Sequence, residues 1–130
     1  MLKKSPSGSL CPYYYKGGEL QPLHYGSYHS DLVELFRVMD AEEAFILQSH
    51  GGRKVWIDLY ETDRSDAFYE KLSNHLITIG HKLFKLALCG CTGKDRRIIS
   101  KRLNQKGFSV PTRYFSDPEL AKDWLVGQRQ

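Results

Sequence analysis

Polar and apolar residues recur with two different periods along this chain, and the switches between the periods divide it into elements. Cys11-Pro12-Tyr13-Tyr14-Tyr15 is aromatic and strand-like, Gly17-Gly18 is a turn signal, and Glu19–Tyr25 is a second extended stretch. Pro22 has no N–H to give to a ladder, which places that stretch at a sheet edge or outside regular structure. From Ser30 the period becomes helical. Ser30 or Asp31 can cap a helix whose apolar face holds Leu32, Leu35, Phe36 and Met39. Asp40 with Glu43 three residues later is a second capping signature, which predicts a bend or restart before Gly51-Gly52 ends the helix.

Lys54–Tyr60 alternates as a strand does, with Val55, Ile57 and Leu59 on one side and Trp56 and Asp58 on the other. A helix follows from Ser65 with Phe68, Leu72, Leu76 and Ile79 on one face and Gly80 at its end. Leu83–Cys89 is apolar except for Lys85, the pattern of a strand covered on both faces. Gly90-Cys91-Thr92-Gly93 is a tight loop into a basic helix, Lys94–Lys106, and Thr112–Phe115 is a short strand. Ser116 as cap, Pro118 just inside and Glu119 as partner then open a last helix, with Leu120, Trp124 and Leu125 expected on its buried side.

The order β-α-β-α-β-α from residue 54 specifies an α/β fold: a single domain with a mixed, mostly parallel sheet and covering helices. Residues 1–10, rich in Ser, Gly and Pro, are expected to be a flexible N-terminus, and residues 11–130 to form the domain. Length agrees, since 130 residues is one domain and buries roughly two thirds of its unfolded surface without a disulfide or metal. No apolar run exceeds four residues, as in Leu86–Cys89, so no membrane insertion is expected. Met1–Gly8 carries two lysines with no apolar stretch behind them, which is not the pattern of a signal peptide. Three cysteines, an odd number, are simplest as reduced thiols in a cytoplasmic protein.

The net charge of +4 conceals two blocks of opposite sign. Residues 31–70 hold ten acids against four bases, and residues 94–113 hold seven bases against one acid, Asp95. Two oppositely charged faces are therefore expected. Gly90, Thr92 and Gly93, followed by Lys94 and Arg97, lie where a parallel strand would hand over to a helix, a place suited to an anion. Its competitor is a solvated basic face, and Asp95 stands where a phosphate-binding loop would have Ser or Thr after the lysine. Asp58, Glu61 and Asp63 could form a carboxylate cluster at a strand end or serve as caps and solvated acids. Cys89-x-Cys91 lacks the paired partners of a zinc site, the five histidines show no metal spacing, and no nucleophile elbow is present. No cofactor and no metal are expected, and no catalytic residue is assigned. His24 and His29 could join a site with Tyr25 and Tyr28, and the tyrosine-rich segment suits a ligand pocket, a protein interface or ordinary core packing. The basic helix carries no helix-turn-helix or RNA-motif signature, so no specific nucleic acid is expected.

KVWIDLYETD, then a helix from Ser65, then KLALCG, RYFSDPE and AKDWL resemble, in this order, the SpoIIAA-like branch of the STAS domains, over roughly residues 20–126. The resemblance implies a non-enzymatic module that binds a regulatory protein, a nucleotide or an anion, as the anti-sigma-factor antagonists do. It also implies Ser65 as the nearest counterpart of their phosphorylated serine. The family's Asp-Ser-Ser/Thr-Gly-Leu core is absent, and Asp63-Arg64-Ser65-Asp66-Ala67-Phe68 stands in its place. Ser65 as a plain helix cap is the competing role. The same branch offers an alternative function, a SEC14-like carrier of a small apolar or lipid-like ligand, which needs a cleft between the first two helices; a small α/β enzyme is the third reading. The unpaired edge of the N-terminal hairpin makes a homodimer an expectation.

Overall fold

A computed structural model describes residues 3–127. They form β1 (Lys3–Lys4), β2 (Leu10–Cys11), β3 (Tyr13–Tyr15), β4 (Gly18–His24), α1 (Leu32–Leu47), β5 (Arg53–Asp58), α2 (Asp66–Ile79), β6 (Leu83–Cys89), α3 (Gly93–Gln105), β7 (Thr112–Phe115) and α4 (Pro118–Val126). A short 3-10 turn, Gly80–Lys82, links α2 to β6. Strands β3-β4-β5-β6-β7 make one sheet in that order, antiparallel only between β3 and β4, and β1-β2 make a separate hairpin. The α/β class with a mostly parallel sheet is thus the observed one.

Strand order determines the layers. Four parallel strands follow one another in chain order, so successive right-handed crossovers all fall on the same face. On that face Leu23, Val55, Ile57, Leu59, Leu86 and Leu88 of the strand segments meet Leu35, Met39, Leu72, Leu76 and Ile99 of α1, α2 and α3. On the other face the covering helix is α4, whose Ala121 and Leu125 pack on Leu20, Trp56, Ala87 and Cys89 with Tyr13 and Tyr15 of β3 alongside. Each fully buried Leu or Ile contributes about 1.5–3 kcal/mol relative to an exposed one, so the larger layer dominates the stability. Lys85, the polar exception in β6, donates to the carbonyls of Trp124 (2.8 Å) and Gly127 (3.4 Å), which lie at the C-terminal end of α4. A cation is favoured there by the helix dipole.

Four expectations are corrected. Residues 3–10 are not a flexible tail: Lys3 pairs with Cys11 and Lys4 with Leu10, and Ser5 and Ser9 are buried. Ser7 Oγ accepts the His24 N–H (3.1 Å) and donates to Glu42 Oε2 (2.5 Å). The small polar residues that look unstructured in sequence are the ones that satisfy an edge donor. Pro22 lies inside β4, between β3 and β5, because β3 pairs only as far as Leu20. His24 points its N–H away from β5, towards Ser7, and Pro22, two residues earlier, has its nitrogen on that same uncovered side. No ladder bond is lost.

Helix α1 runs unbroken through Asp40–Glu43 because those acids find partners outside the helix: Asp40 on Lys71, Glu42 on Ser7, Glu43 on His75. Helix α4 is capped by Asp117, whose side chain accepts the Glu119 N–H, rather than by Ser116, and Leu120 is exposed while Ala121 is buried.

Between α1, α2 and β4 runs a buried chain of hydrogen bonds. Tyr25 Oη meets His75 Nε2 at 2.8 Å and His75 Nδ1 meets Glu43 Oε1 at 3.0 Å. Burial lowers the His75 pKa from its ordinary 6.5, with the charge of Lys71 helping and Glu43 and Asp40 pulling the other way. The unfolded chain therefore takes up a proton near pH 6.5 that the folded chain refuses, so this contribution is complete above that pH and is lost as pH falls below it. The melting temperature is expected to drop between about pH 7.5 and about pH 5.5, and His75→Gln is expected to flatten that dependence in thermal melts across the range.

Candidate functional site

The carboxyl ends of the parallel strands release three loops, and their backbones are knitted together. Ser27 N donates to Tyr60 O (2.6 Å), His29 N to Glu61 O (2.8 Å) and Asp63 N to His29 O (2.8 Å). Ser27, His29 and Glu61 hold φ values of 67°, 52° and 58°, a left-handed conformation that side-chain-bearing residues adopt only where surroundings impose it. Gly90 is required in the third loop. Its φ is 86°, and a Cβ there would meet the Tyr60 nitrogen at 2.9 Å.

One ion pair ties these loops to two helices. Arg64 donates through Nε to Asp95 Oδ2 (3.2 Å), through Nη2 to Gly90 O (2.6 Å), and through Nη1 to Thr62 O. Asp95 also accepts from Thr92 N (2.9 Å) and from Tyr69 Oη (2.6 Å). Burial would raise the Asp95 carboxyl, but the hydrogen bonds from Tyr69 and Thr92 and the charge of Arg64 outweigh it and hold it below the usual value. Tyr69 is pushed up to about 12 by burial first and by Asp95 second.

The consequence for the expected anion site is direct. Thr92 and Asp95 form a reciprocal capping box, so the start of α3 already holds a carboxylate, Asp95, from its own chain. Gly90 gives its carbonyl to Arg64, and the surroundings of Gly93 are open. Lys94 and Arg97 are exposed, and neither makes a side-chain hydrogen bond or ion pair to the loop among the described residues. The strand order never reverses within the parallel part of the sheet, so there is no switch-point crevice at this rim.

The other candidates separate. Ser65 is exposed and caps α2, its Oγ accepting the Phe68 N–H at 3.1 Å. Asp63 is exposed on the loop, whereas Asp58 sits on the opposite face of the sheet from α2, with Oδ2 3.0 Å from His24 Nδ1. His24 and Tyr25 face opposite sides of the sheet, so the suggested cluster with His29 and Tyr28 does not assemble. In register, His24, Asp58 and Cys89 stand side by side on adjacent strands. This row puts the carboxylate, not the imidazole, beside the thiol, and Cys89 Sγ accepts instead from Trp56 Nε1 (3.1 Å). A nucleophile needs the base as its neighbour. Cys91 packs against the core on the other face, so Cys89 and Cys91 do not meet, and burial pushes the Cys91 thiol up to about 12. Among the described residues no group of three or more His, Cys, Asp or Glu is placed to hold a metal, and no helix is long and apolar enough to cross a membrane.

What the rim does open onto is a groove of about 810 Å³ between α2 and α3. Arg64, Lys94, Lys101, Arg102 and Lys106 line it, against the acids Asp66 and Glu70. Arg102 bridges to Asp66 (2.5 Å) and Glu70 (3.0 Å), and Lys106 to Glu70 (3.1 Å). The acidic and basic blocks therefore partly face each other, which corrects the expectation of two separate charged faces. Lys94 and Lys101 stay exposed at the groove without an ion pair among the described residues.

The sequence pattern singles out neither Arg64 nor Tyr69 and points to Asp95 only as an acid out of place in a phosphate-binding loop, although Thr92-x-x-Asp95 is a readable capping-box signature. No protein-family model, curated protein or solved structure matches the chain.

With Arg64 only 19% exposed at its side chain, removing Asp95 leaves the guanidinium charge uncompensated between the Thr62 and Gly90 carbonyls and breaks the reciprocal half of the α3 capping box. Asp95→Ala is expected to destabilise the fold by about 2–4 kcal/mol in urea unfolding, against about 0.5 kcal/mol or less for the exposed Asp63→Ala.

Proposed function

We propose that this chain is a non-catalytic binding module of the STAS type, nearest to the SpoIIAA-like branch, that takes a protein partner bearing acidic side chains on the surface made by α2 and α3. The observation that carries the reading is the groove, where five cations face two acids and where Lys94 and Lys101 have no ion pair among the described residues. Such a surface attracts acidic groups and orients them through charge. Ser65 lies between Arg64 and Asp66, both of which line the groove, and it is exposed. Modification of Ser65 would therefore alter the same surface, with Asp63 and Asp66 opposing a dianionic group. The titratable groups at the rim favour binding over chemistry, since Asp95 is locked in a pair and the two thiols are held protonated by burial. The carrier reading asks for a cleft between α1 and α2, and there Leu35, Met39, Leu72 and Leu76 are wholly buried against one another and the sheet.

Fluorescence anisotropy with a labelled oligoglutamate peptide tests the proposal. The full chain is expected to bind it with an affinity that falls as salt rises, and a Lys94→Glu, Lys101→Glu double variant is expected to bind about tenfold more weakly or worse with an unchanged melting temperature. Indifference to the double substitution would remove the groove from the recognition surface. Tighter binding of oligothymidylate than of the peptide would transfer the reading to nucleic acid.

A further inference from the structure

At the opposite end of the strands, where β4, β5 and β6 begin, lies a second cavity of about 330 Å³. Gln21 lines it, is only 3% exposed, and has both amide atoms, Nε2 and Oε1, without a hydrogen-bond partner among the described residues. Arg53 lines it too, with a side chain 17% exposed and its Nε likewise unpartnered. Buried amide and guanidinium atoms are almost always paired in folded proteins, because leaving them bare forfeits the bonds they make to water when unfolded. Three such atoms on two residues of one cavity are the signature of a place built for something that hydrogen-bonds.

We propose that this cavity is a binding site for a small organic monocarboxylate that carries a hydrogen-bond donor beside the carboxylate. Arg53 Nε and Gln21 Nε2 are both donors and suit the two carboxylate oxygens, while Gln21 Oε1 is an acceptor and requires the neighbouring donor. Charge limits the ligand to one negative unit. Arg53 and Lys54 attract an anion, but Glu19, 3.7 Å from the Arg53 guanidinium, repels a second charge. Cys11 and His50 also line the cavity, and its main apolar wall is the ring of Phe84, which is 62% exposed and lies so close to Gly52 that a Cβ there would meet it at 2.5 Å. A flat apolar body beside the carboxylate would cover that ring. This site shares no residue with the groove between α2 and α3, so either can fail without the other.

Salicylate presents this chemistry in one molecule, with benzoate as the analogue lacking the donor and inorganic phosphate as an anion of the wrong shape. Titrated into the full chain, salicylate is expected to shift the Gln21 side-chain amide and Arg53 Nε–H resonances saturably. Benzoate is expected to bind about tenfold more weakly, the worth of one hydrogen bond to a buried group. Gln21→Leu is expected to abolish binding. Because that change could repack the sheet, Phe84→Ala, at an exposed position, serves as the second variant and is expected to weaken binding with an unchanged melting temperature. Shifts that do not saturate, equal binding of benzoate, or displacement of salicylate by phosphate would each overturn the proposal.

Discussion

Four parallel strands laid down in chain order leave the crossovers no choice of face, and most of the molecule follows from that. Helices α1, α2 and α3 must line up side by side on one surface of the sheet, which creates two helix–helix seams and a thick apolar layer. The other surface is left to α4 and the tyrosines of β3, a thinner layer in which Lys122 lies over Trp56 at 4.7 Å and Lys85 anchors the end of the helix. The two seams differ because their residues do. Between α1 and α2 the contact is closed by apolar side chains and the Tyr25–His75–Glu43 chain. Between α2 and α3 the opposed residues are long and charged, so the seam stays open as a groove bridged by Arg102 and Lys106.

The same arrangement explains why the rim at the carboxyl ends of the strands is closed. In a sheet whose order reverses, two loops part there and leave a crevice. Here neighbouring loops bend the same way and run into each other, and Arg64 fills the junction by bonding to the loops after β5 and β6 and to Asp95 of α3. A buried pair of this kind adds little net stability compared with an apolar replacement, but it is costly to break and it admits only one geometry. The concave surfaces consequently lie away from the rim, as the groove on one side and the cavity around Gln21 and Arg53 at the far end.

Local signals were legible wherever a residue's role depends on its neighbours in sequence. Leu83–Cys89 and Thr112–Phe115 are strands over those same residues, Ser65 caps α2, and the alternation in Lys54–Tyr60 assigns Val55 and Ile57 to one core and Trp56 to the other. Signals failed where a distant residue supplies the partner. The serines of residues 3–10 read as tail because the His24 N–H and the Glu42 carboxylate that employ Ser7 are far along the chain. Pro22 read as an edge residue because the length of β3, which decides whether its missing N–H matters, is a tertiary quantity. Asp40 and Glu43 read as a restart because a carboxylate on a helix can cap locally or reach across to Lys71 and His75, and only the packing of α2 chooses.

By itself, then, the amino-acid sequence determined the class of the fold, the order of its elements from Tyr13 onward, the apolar side of most of them, and the clustering of positive charge on α3. These depend on period and composition, which are properties of short windows. Tertiary structure decided which polar groups are satisfied and which are not. It turned Asp95 from a stray acid in a basic helix into the anion that fills the α3 terminus. It paired Asp66 and Glu70 of the acidic block with Arg102 and Lys106 of the basic one, and among the described residues it left the Gln21 amide and Arg53 Nε buried without partners. Hydrogen bonds are made between atoms about 3 Å apart whatever their separation in sequence. The state of a polar side chain is therefore settled only when the elements carrying its neighbours have come together.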